Sequence, residues 1–366
     1  MRRLTVVQLL PALENGGVER STVEIAQALT RAGHRALVVS NGGRMVDALR
    51  AAGGEHVALD IGRKSPATLR HVWSLRRLFD DLKPDIVHAR SRLPAWLAWL
   101  ALRSRRGPKL VTTAHGLYSP GRYSGIMTRG ERVICVSSTV RDHLLANWPH
   151  TDPDRLVVIE RGIEPANFVA DQARIPAWRE QLAGQYPALA TGPLLLLPGR
   201  GTRLKGHDVA IELLAALRVL GIPACLWMPG AREPGREAYV NELESLAKSR
   251  GVSEYLAVTV AESDMARIYA VSDVVLQLSN KPEAFGRTVL EALAARRPVV
   301  GWAHGGVGEL LARYFPVGAV ALGDFPGLVA ATCVALDGRM PVNNAVLPSL
   351  TWMQAQTLKV YDSLLD

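Results

Sequence analysis

The chain has 366 residues, 48% of them hydrophobic, and a formal net charge of +9 at pH 7. That is long for one domain and comfortable for two, each able to bury its own core, and the composition is that of a soluble α/β protein. No apolar run approaches the roughly 20 residues of a membrane-spanning helix, which leaves only peripheral membrane contact open.

In chain order, short β-branched runs alternate with helical patterns, as parallel sheets built from strand-helix-strand units require. Leu4–Leu10 reads as the first strand. Behind Met1-Arg2-Arg3 it imitates a signal peptide, but Gln8 interrupts it and Glu14-Asn15-Gly16-Gly17 follows where a small-residue cleavage site would be needed. Further strands are expected at Ala36–Ser40, His56–Asp60, Asp85–Ala89, Lys109–Thr113, Arg132–Val136 and Leu156–Ile159. Helices are expected between them at Ser21–Ala32, Pro66–Leu82, Pro94–Arg103 and Ser138–Asn147, most with Gly or Pro close to their ends.

From Ile163 to Gly192 the periodicity weakens and Pro165, Pro176, Gly184 and Pro187 accumulate, so a domain boundary is placed near Phe168. The expected divisions are 1–167, 168–348 and a final helix within 349–366. The second domain repeats the pattern with strands at Leu194–Leu197, Ala224–Met228, Val274–Leu278, Pro298–Gly301 and Val317–Leu322. The last helix, Thr351–Leu365, carries Trp352, Met353, Leu358, Tyr361 and Leu365 along one side and is expected to cross back to the first domain.

Cys135, Cys225 and Cys333 have no paired spacing, so a reducing cytoplasm fits. The positive charge is uneven, with twelve Lys or Arg against three Asp between Arg63 and Lys109. An anionic partner and an ordinary solvated face both explain that bias. Within it, Leu93–Leu102 carries Trp96 and Trp99 and is flanked by Arg90, Arg92, Arg103, Arg105 and Arg106. It suits either a core helix or an interfacial helix on an anionic membrane.

Ser279 to Ala292 reads Ser-Asn-Lys-Pro-Glu-Ala-Phe-Gly-Arg-Thr-Val-Leu-Glu-Ala, with Glu283 and Glu291 eight positions apart across a turn that opens a helix. Backbone N–H groups near Phe285, Gly286 and Arg287 would then lie at a helix N-terminus, where a diphosphate is favoured. Pro198-Gly199-Arg200 after one strand and Lys205-Gly206 before the next helix add two cations of different kind, a planar fork and a point charge. Gly16 and Gly17 after the first strand allow close approach of a ligand or simply a tight turn. They do not fit the G-x-G-x-x-G pattern of a dinucleotide site. His115 follows a strand end, where open α/β sheets place ligands, and is read as a site or a structural histidine.

These segments together resemble a GT-B glycosyltransferase of the large retaining family often called family 4, also described as glycosyl transferases group 1. The likeness is spread over most of the chain. It implies two Rossmann-like domains facing each other across a cleft, with a C-terminal helix crossing back to the first. By resemblance Arg200 and Lys205 clamp the donor diphosphate, while Gly16, Gly17, Phe285, Gly286, Arg287, Thr288 and Glu291 belong to donor binding. Glu283 and His115 would position the donor sugar, and Glu19 and Arg161 would lie on the acceptor side.

Four departures from the family pattern stand out: Arg161 where Asn is common, Ala284 for Gly, Arg287 for an aliphatic residue, and Gly308 before Glu309 where Pro is usual. Gly305-Gly306 is read mainly as a strand-to-helix turn. The implied activity is transfer of a sugar from a nucleoside-diphosphate-sugar to a glycan or lipid-linked acceptor, with retention, in lipopolysaccharide core or surface-polysaccharide synthesis. Peripheral contact with an anionic membrane is implied, and no nucleic acid partner. No cofactor is expected and no metal, Asp152-Pro153-Asp154 being a chance match to a metal-binding string. The competing readings are a nucleotide-sugar epimerase on the same fold and a non-catalytic basic glycan-binding module.

Overall fold

The computed structural model describes residues 2–14, 16–103, 107–338, 342 and 346–365. Asn15, Arg105 and Arg106 of the segments singled out above lie outside the described residues. The chain divides into two units, Met1–Gly162 with Leu350–Asp366, and Ile163–Ser349.

In the first unit the strands are β1 (Thr5–Leu9), β2 (Arg35–Ser40), β3 (Glu55–Ala58), β4 (Ile86–Ala89), β5 (Lys109–Ala114), β6 (Arg132–Cys135) and β7 (Leu156–Val158). They form one parallel sheet in the order β3-β2-β1-β4-β5-β6-β7. Alternation along each strand divides the core into two layers. Val6, Val38, Ile86 and Val111 pack with Ile25 and Leu29 of helix Gly17–Arg31 and with Met353, Val360 and Tyr361 of helix Leu350–Asp362. On the other face, Val7, Leu9, Val39 and Val87 pack with Leu75 and Phe79 of helix His71–Leu82 and with Leu97 and Ala101 of helix Arg92–Leu102.

Helix Arg92–Leu102 is therefore a core helix. Pro94, Ala95, Leu97, Ala98 and Ala101 are buried, and Trp96 and Trp99 pack partly against the same layer. The exposed apolar groups of the basic segment are instead Leu69 and Trp73, 55% and 66% exposed. Ser137 caps helix Ser138–Asn147 by accepting from Val140 N at 3.1 Å.

The second unit holds β8 (Leu194–Leu196), β9 (Cys225–Pro229), β10 (Leu256–Thr259), β11 (Val274–Gln277), β12 (Val299–Trp302) and β13 (Ala319–Val320). They are parallel in the order β10-β9-β8-β11-β12-β13. This sheet has one strand more than the sequence reading. β10 lies at an edge and its four residues are only alternately buried, so its apolar signal is weak.

The proline-rich stretch in which the sequence places a domain boundary contains helix Ile175–Gln185. Pro176 stands in the first turn, where a missing N–H costs nothing, and only Leu182 is buried, so no apolar stripe marks the helix. Pro165–Phe168, which spans the boundary drawn from the sequence, packs in the second unit against helices Met265–Ala270 and Arg287–Ala294. The Phe168 ring lies 6.2 Å from that of Tyr269.

Candidate functional site

Each sheet has a switch point, where neighbouring strands send their following helices to opposite faces and leave a crevice beyond their C-terminal ends. In the second unit these strands are β8 and β11. Lys205 reaches the crevice from the turn Arg203–Lys205 after β8, and Glu283 from the loop after β11. Lys205 Nζ donates to Glu283 Oε1 at 2.7 Å, with both side chains roughly three-quarters buried. Ser279 Oγ donates to the same carboxylate oxygen.

Helix Arg287–Ala294 starts beside this pair with no side-chain cap. Its N-cap, Gly286, has φ 111°, and a Cβ there would lie 2.8 Å from Val307 Cγ2. Gly306 N donates to the Glu283 carbonyl at 2.8 Å, and a Cβ on Gly306 would stand 2.5 Å from Phe285 Cα. The glycine turn read as simple punctuation thus also backs the Glu283 loop, and His304 Nε2 meets the Ser279 carbonyl from the same turn at 2.7 Å.

One turn into the helix, Glu291 is 7% exposed and both its oxygens are engaged. Arg287 Nε donates to Oε1 at 2.7 Å and the Tyr269 hydroxyl to Oε2 at 3.0 Å. Burial, then the Glu291 charge, raises the Tyr269 phenol well above its ordinary range, so it donates as a neutral hydroxyl. Phe285 is buried and Thr288 is half-buried. Arg200 is exposed and forms no ion pair among the described residues. The structure therefore joins Lys205 to Glu283 and Arg287 to Glu291, and joins Arg200 to neither carboxylate.

In the first unit the switch point lies between β1 and β4. Here polar side chains interrupt the layer beneath helices Gly17–Arg31 and Leu350–Asp362. Arg90, 3% exposed, donates from Nη1 to Gln8 Oε1 at 2.8 Å and from Nη2 to Ser21 Oγ at 2.6 Å. Arg161 donates to the same Ser21 oxygen and, through Nη2, to His115 Nδ1. His88, fully buried, meets the Tyr361 hydroxyl at 2.7 Å through Nδ1 and Thr113 Oγ1 at 2.6 Å through Nε2.

Burial, reinforced by Arg90 and Arg161, holds both His88 and His115 well below the ordinary histidine range. Both rings are neutral at physiological pH. Glu19 sits in the first turn of helix Gly17–Arg31 with its carboxylate over Gly16, complementing the helix dipole. A Cβ on Gly17 would meet nothing within 4 Å. Asp152 accepts from Asp154 N at 3.0 Å, which accounts for the chance metal string as a turn cap.

The sequence reading passed over Gln8, Ser21, His88, Arg90 and Tyr361. The available signal was a polar residue inside each of two apolar strand runs, Gln8 in the first and His88 just before Arg90 in the fourth. Tyr361 was read only as part of an apolar stripe.

Comparison with known proteins places both halves. Residues 15–167 match the family model described as Glycosyltransferase Family 4, and residues 179–321 match that of Glycosyl transferases group 1. D-inositol 3-phosphate glycosyltransferase from Mycobacterium sp. (strain JLS) is 29% identical over 283 residues, 70% of this chain and 60% of that protein. The one from Xylanimonas cellulosilytica is 30% identical over 61% of this chain and 56% of its own length. The chain thus spans less than two thirds of these curated relatives.

Among solved structures, a glycosyltransferase from Rickettsia africae ESF-5 superposes with TM-score 0.88 at 29% identity, covering all of both chains. Anabaena Alr3699/HepE in complex with UDP and glucose gives 0.81 at 19%, covering 99% of this chain and 100% of that one.

Proposed function

We propose that this chain, which belongs to the glycosyltransferases of family 4 and group 1, transfers a sugar from a nucleoside diphosphate to an acceptor hydroxyl. Its fold is GT-B, with two doubly wound parallel-sheet domains. The observation that carries the proposal is the Lys205–Glu283 ion pair at the β8/β11 switch point, beside the uncapped helix start at Gly286.

As the bond between sugar and diphosphate breaks, negative charge collects on the leaving phosphate, and fixed cations in a site that excludes water stabilise it. In this reading the diphosphate takes the Lys205 ammonium from Glu283, and Arg200 closes on it from the Gly199 loop. The freed Glu283 carboxylate, held by the Ser279 hydroxyl on a loop that the Gly306 N–H fixes through the Glu283 backbone carbonyl, then accepts hydrogen bonds from the donor sugar. Glu291 exchanges Arg287 for ribose hydroxyls, and Arg287 joins the phosphates. Neutral His115 is assigned to the donor sugar. The acceptor gives its proton to the leaving phosphate oxygen on the same face, which retains the anomeric configuration.

We assign the acceptor to a lipid-linked or surface glycan, such as a lipopolysaccharide core. Exposed Leu69 and Trp73, flanked by exposed Arg63, Lys64, Arg70 and Arg77, supply an apolar and basic contact for an anionic membrane face. The three unpaired cysteines favour the cytoplasmic side. A UDP-sugar is the first donor to try, because a second structure of Anabaena Alr3699/HepE holds UDP-glucose.

Calorimetry against a panel of nucleoside diphosphates and their sugars tests the donor. Lys205→Ala and Glu291→Ala should each lower transfer by about a hundredfold or more while the protein stays folded. Full activity in both variants would overturn the reading, and the anomeric proton of the product, read by NMR, tests retention.

A further inference from the structure

The first unit has a second concave surface, outside its β1/β4 crevice. Helix Arg92–Leu102, the turn Ser124–Thr128 and the segment after helix Ser138–Asn147 border a groove of about 950 Å³. Trp96, Trp99, Trp148, Arg122, Arg129 and Thr151 line it. Thr128 and Arg129 come shortly before β6, and Asp152 and Arg155 shortly before β7. The groove therefore reaches the N-terminal ends of these strands, opposite to the ends where doubly wound sheets bind nucleotides. Its volume is at the upper end of the roughly 300–1,000 Å³ of small-ligand pockets, which is more than a single sugar ring fills.

Among the described residues that border the groove there is no Leu, Ile, Val or Met; flat rings, cations and hydrogen-bonding groups stand in their place. Two of the rings are fixed by their own indole N–H groups. Trp96 Nε1 donates to the Tyr123 carbonyl at 2.9 Å, and Trp148 Nε1 to the Gly121 carbonyl at 3.1 Å. A Cβ on Gly125 would stand 2.7 Å from Trp148 Nε1, so the turn needs glycine for the indole to lie against it. Trp99 meets Trp96 in a T-shaped contact with centroids 5.7 Å apart, and holds the Arg129 guanidinium 5.0 Å above its own ring. All three tryptophans are half-buried. They form the wall of a recess, whereas a membrane anchor needs rings that protrude, as the 66% exposed Trp73 does.

Arg122 and Arg129 are exposed and form no ion pair among the described residues, while Arg155 faces Asp152 at 3.5 Å. Thr151 is 7% exposed, and its buried Oγ1 has no hydrogen-bond partner among the described residues. Such a group gains when a ligand supplies the missing partner. A pyranose offers an apolar C–H face to a flat ring and hydroxyls around its edge, which is the complement of this lining. The two guanidiniums without a carboxylate add a preference for negative charge.

We infer that this groove binds an acidic oligosaccharide, with sugar rings on Trp96 and Trp148 and its anionic substituents on Arg122 and Arg129. The inference goes beyond the transferase reading and does not depend on it, because the groove lies wholly in the first unit.

The experiment is titration of the full chain at constant ionic strength with hexagalacturonate, a chondroitin sulfate hexasaccharide and the neutral maltohexaose, read by tryptophan fluorescence and calorimetry. At least one acidic hexamer should bind saturably, and at least about threefold more tightly than maltohexaose. Trp148→Ala should weaken that binding about tenfold, and Arg122→Ala and Arg129→Ala about three- to fivefold each, as loss of one stacking platform or one exposed charge contact does. Should Trp148→Ala fold poorly, Trp96→Leu, which stays apolar and loses the flat ring, should show the same direction of loss. Lys205→Ala should bind the hexamer like the wild type. The inference is overturned if no acidic hexamer binds, if the tryptophan and arginine variants bind it unchanged, or if Lys205→Ala loses it. It is equally overturned if phosphatidylglycerol vesicles or single-stranded DNA bind through Trp96 and Trp148 and the hexamers do not. Failure of UDP to bind, with the hexamer still bound, would sink the transferase reading and leave this site standing.

Discussion

The two switch points handle positive charge in opposite ways. At β8/β11 each buried or half-buried cation holds a carboxylate, Lys205 with Glu283 and Arg287 with Glu291. At β1/β4, Arg90 and Arg161 converge on a hydroxyl that carries no charge. A paired cation is neutralised before its ligand arrives, so the empty site costs little and the ligand must displace a carboxylate. Arg90, buried on the neutral acceptors Gln8 and Ser21, keeps a desolvation cost that no ion pair among the described residues offsets. The first arrangement suits a ligand that comes and goes at each turnover.

The largest effect expected from this contrast is on turnover. Lys205→Ala should lower kcat by about a hundredfold to a thousandfold, as removal of one preorganised charge-stabilising group does. Its melting temperature should stay close to the parent's, because the pair is partly exposed and its net worth to the fold is small. A large loss of stability with normal turnover would reverse the roles given to the two sites.

Acid should destabilise both units through histidines buried neutral. His207, capped on one side by the Tyr239 hydroxyl at 3.4 Å, is pushed down by burial to about 4 from an ordinary value of 6.5. As pH falls below 6.5 the unfolded chain takes up this proton first, so stability present above that pH is lost progressively down to about 4. That window is worth roughly 3 kcal/mol for this residue alone. His88 and His115 act in the same direction in the first unit. Thermal melts between pH 7.5 and 4.5 check this, and His207→Gln should flatten the slope; an unchanged slope would mean that the ring is hydrated or paired in solution.

Arg90 offers the sharpest test of stored strain. Burial pushes its guanidinium down to about 10, the sign of a charge held at a cost. Arg90→Met removes that charge but leaves Gln8 Oε1 without its donor, so the two terms oppose each other. The variant should match the parent in ligand-free stability or exceed it by about 1 kcal/mol. A loss above about 2 kcal/mol in denaturant titration would make Arg90 a structural pin and remove the contrast between the switch points.

Most of the strand order was legible because buried parallel strands write themselves as short β-branched runs, and every first-unit strand was found in this way. What escaped was either weakly buried, like β10 and helix Ile175–Gln185, or conditional on distant partners. Lys205, Glu283, Arg287 and Glu291 were legible because they lie in motifs whose spacing is local. The polar sets of the first unit join residues 8, 21, 90, 115 and 161 in one network and 88, 113 and 361 in another, which no local spacing could connect. Only Gln8 and His88, polar groups inside apolar strands, carried a trace of them.

The smallest effects divide two glycines, one in each unit. Gly286 has φ 111° and no room for a Cβ beside Val307, so Gly286→Ala should cost about 1–3 kcal/mol through backbone strain and contact. Gly17 has neither constraint: a Cβ would meet nothing within 4 Å, and the position opens helix Gly17–Arg31, where Ala is the better helix former. Gly17→Ala should therefore leave stability unchanged or raise it by up to about 1 kcal/mol. The fold gives no reason for glycine there, so a ligand that approaches the backbone is the remaining one. KM for donor or acceptor should then rise several-fold in Gly17→Ala without a change in melting temperature. Equal KM values would reduce Gly16-Gly17 to a turn.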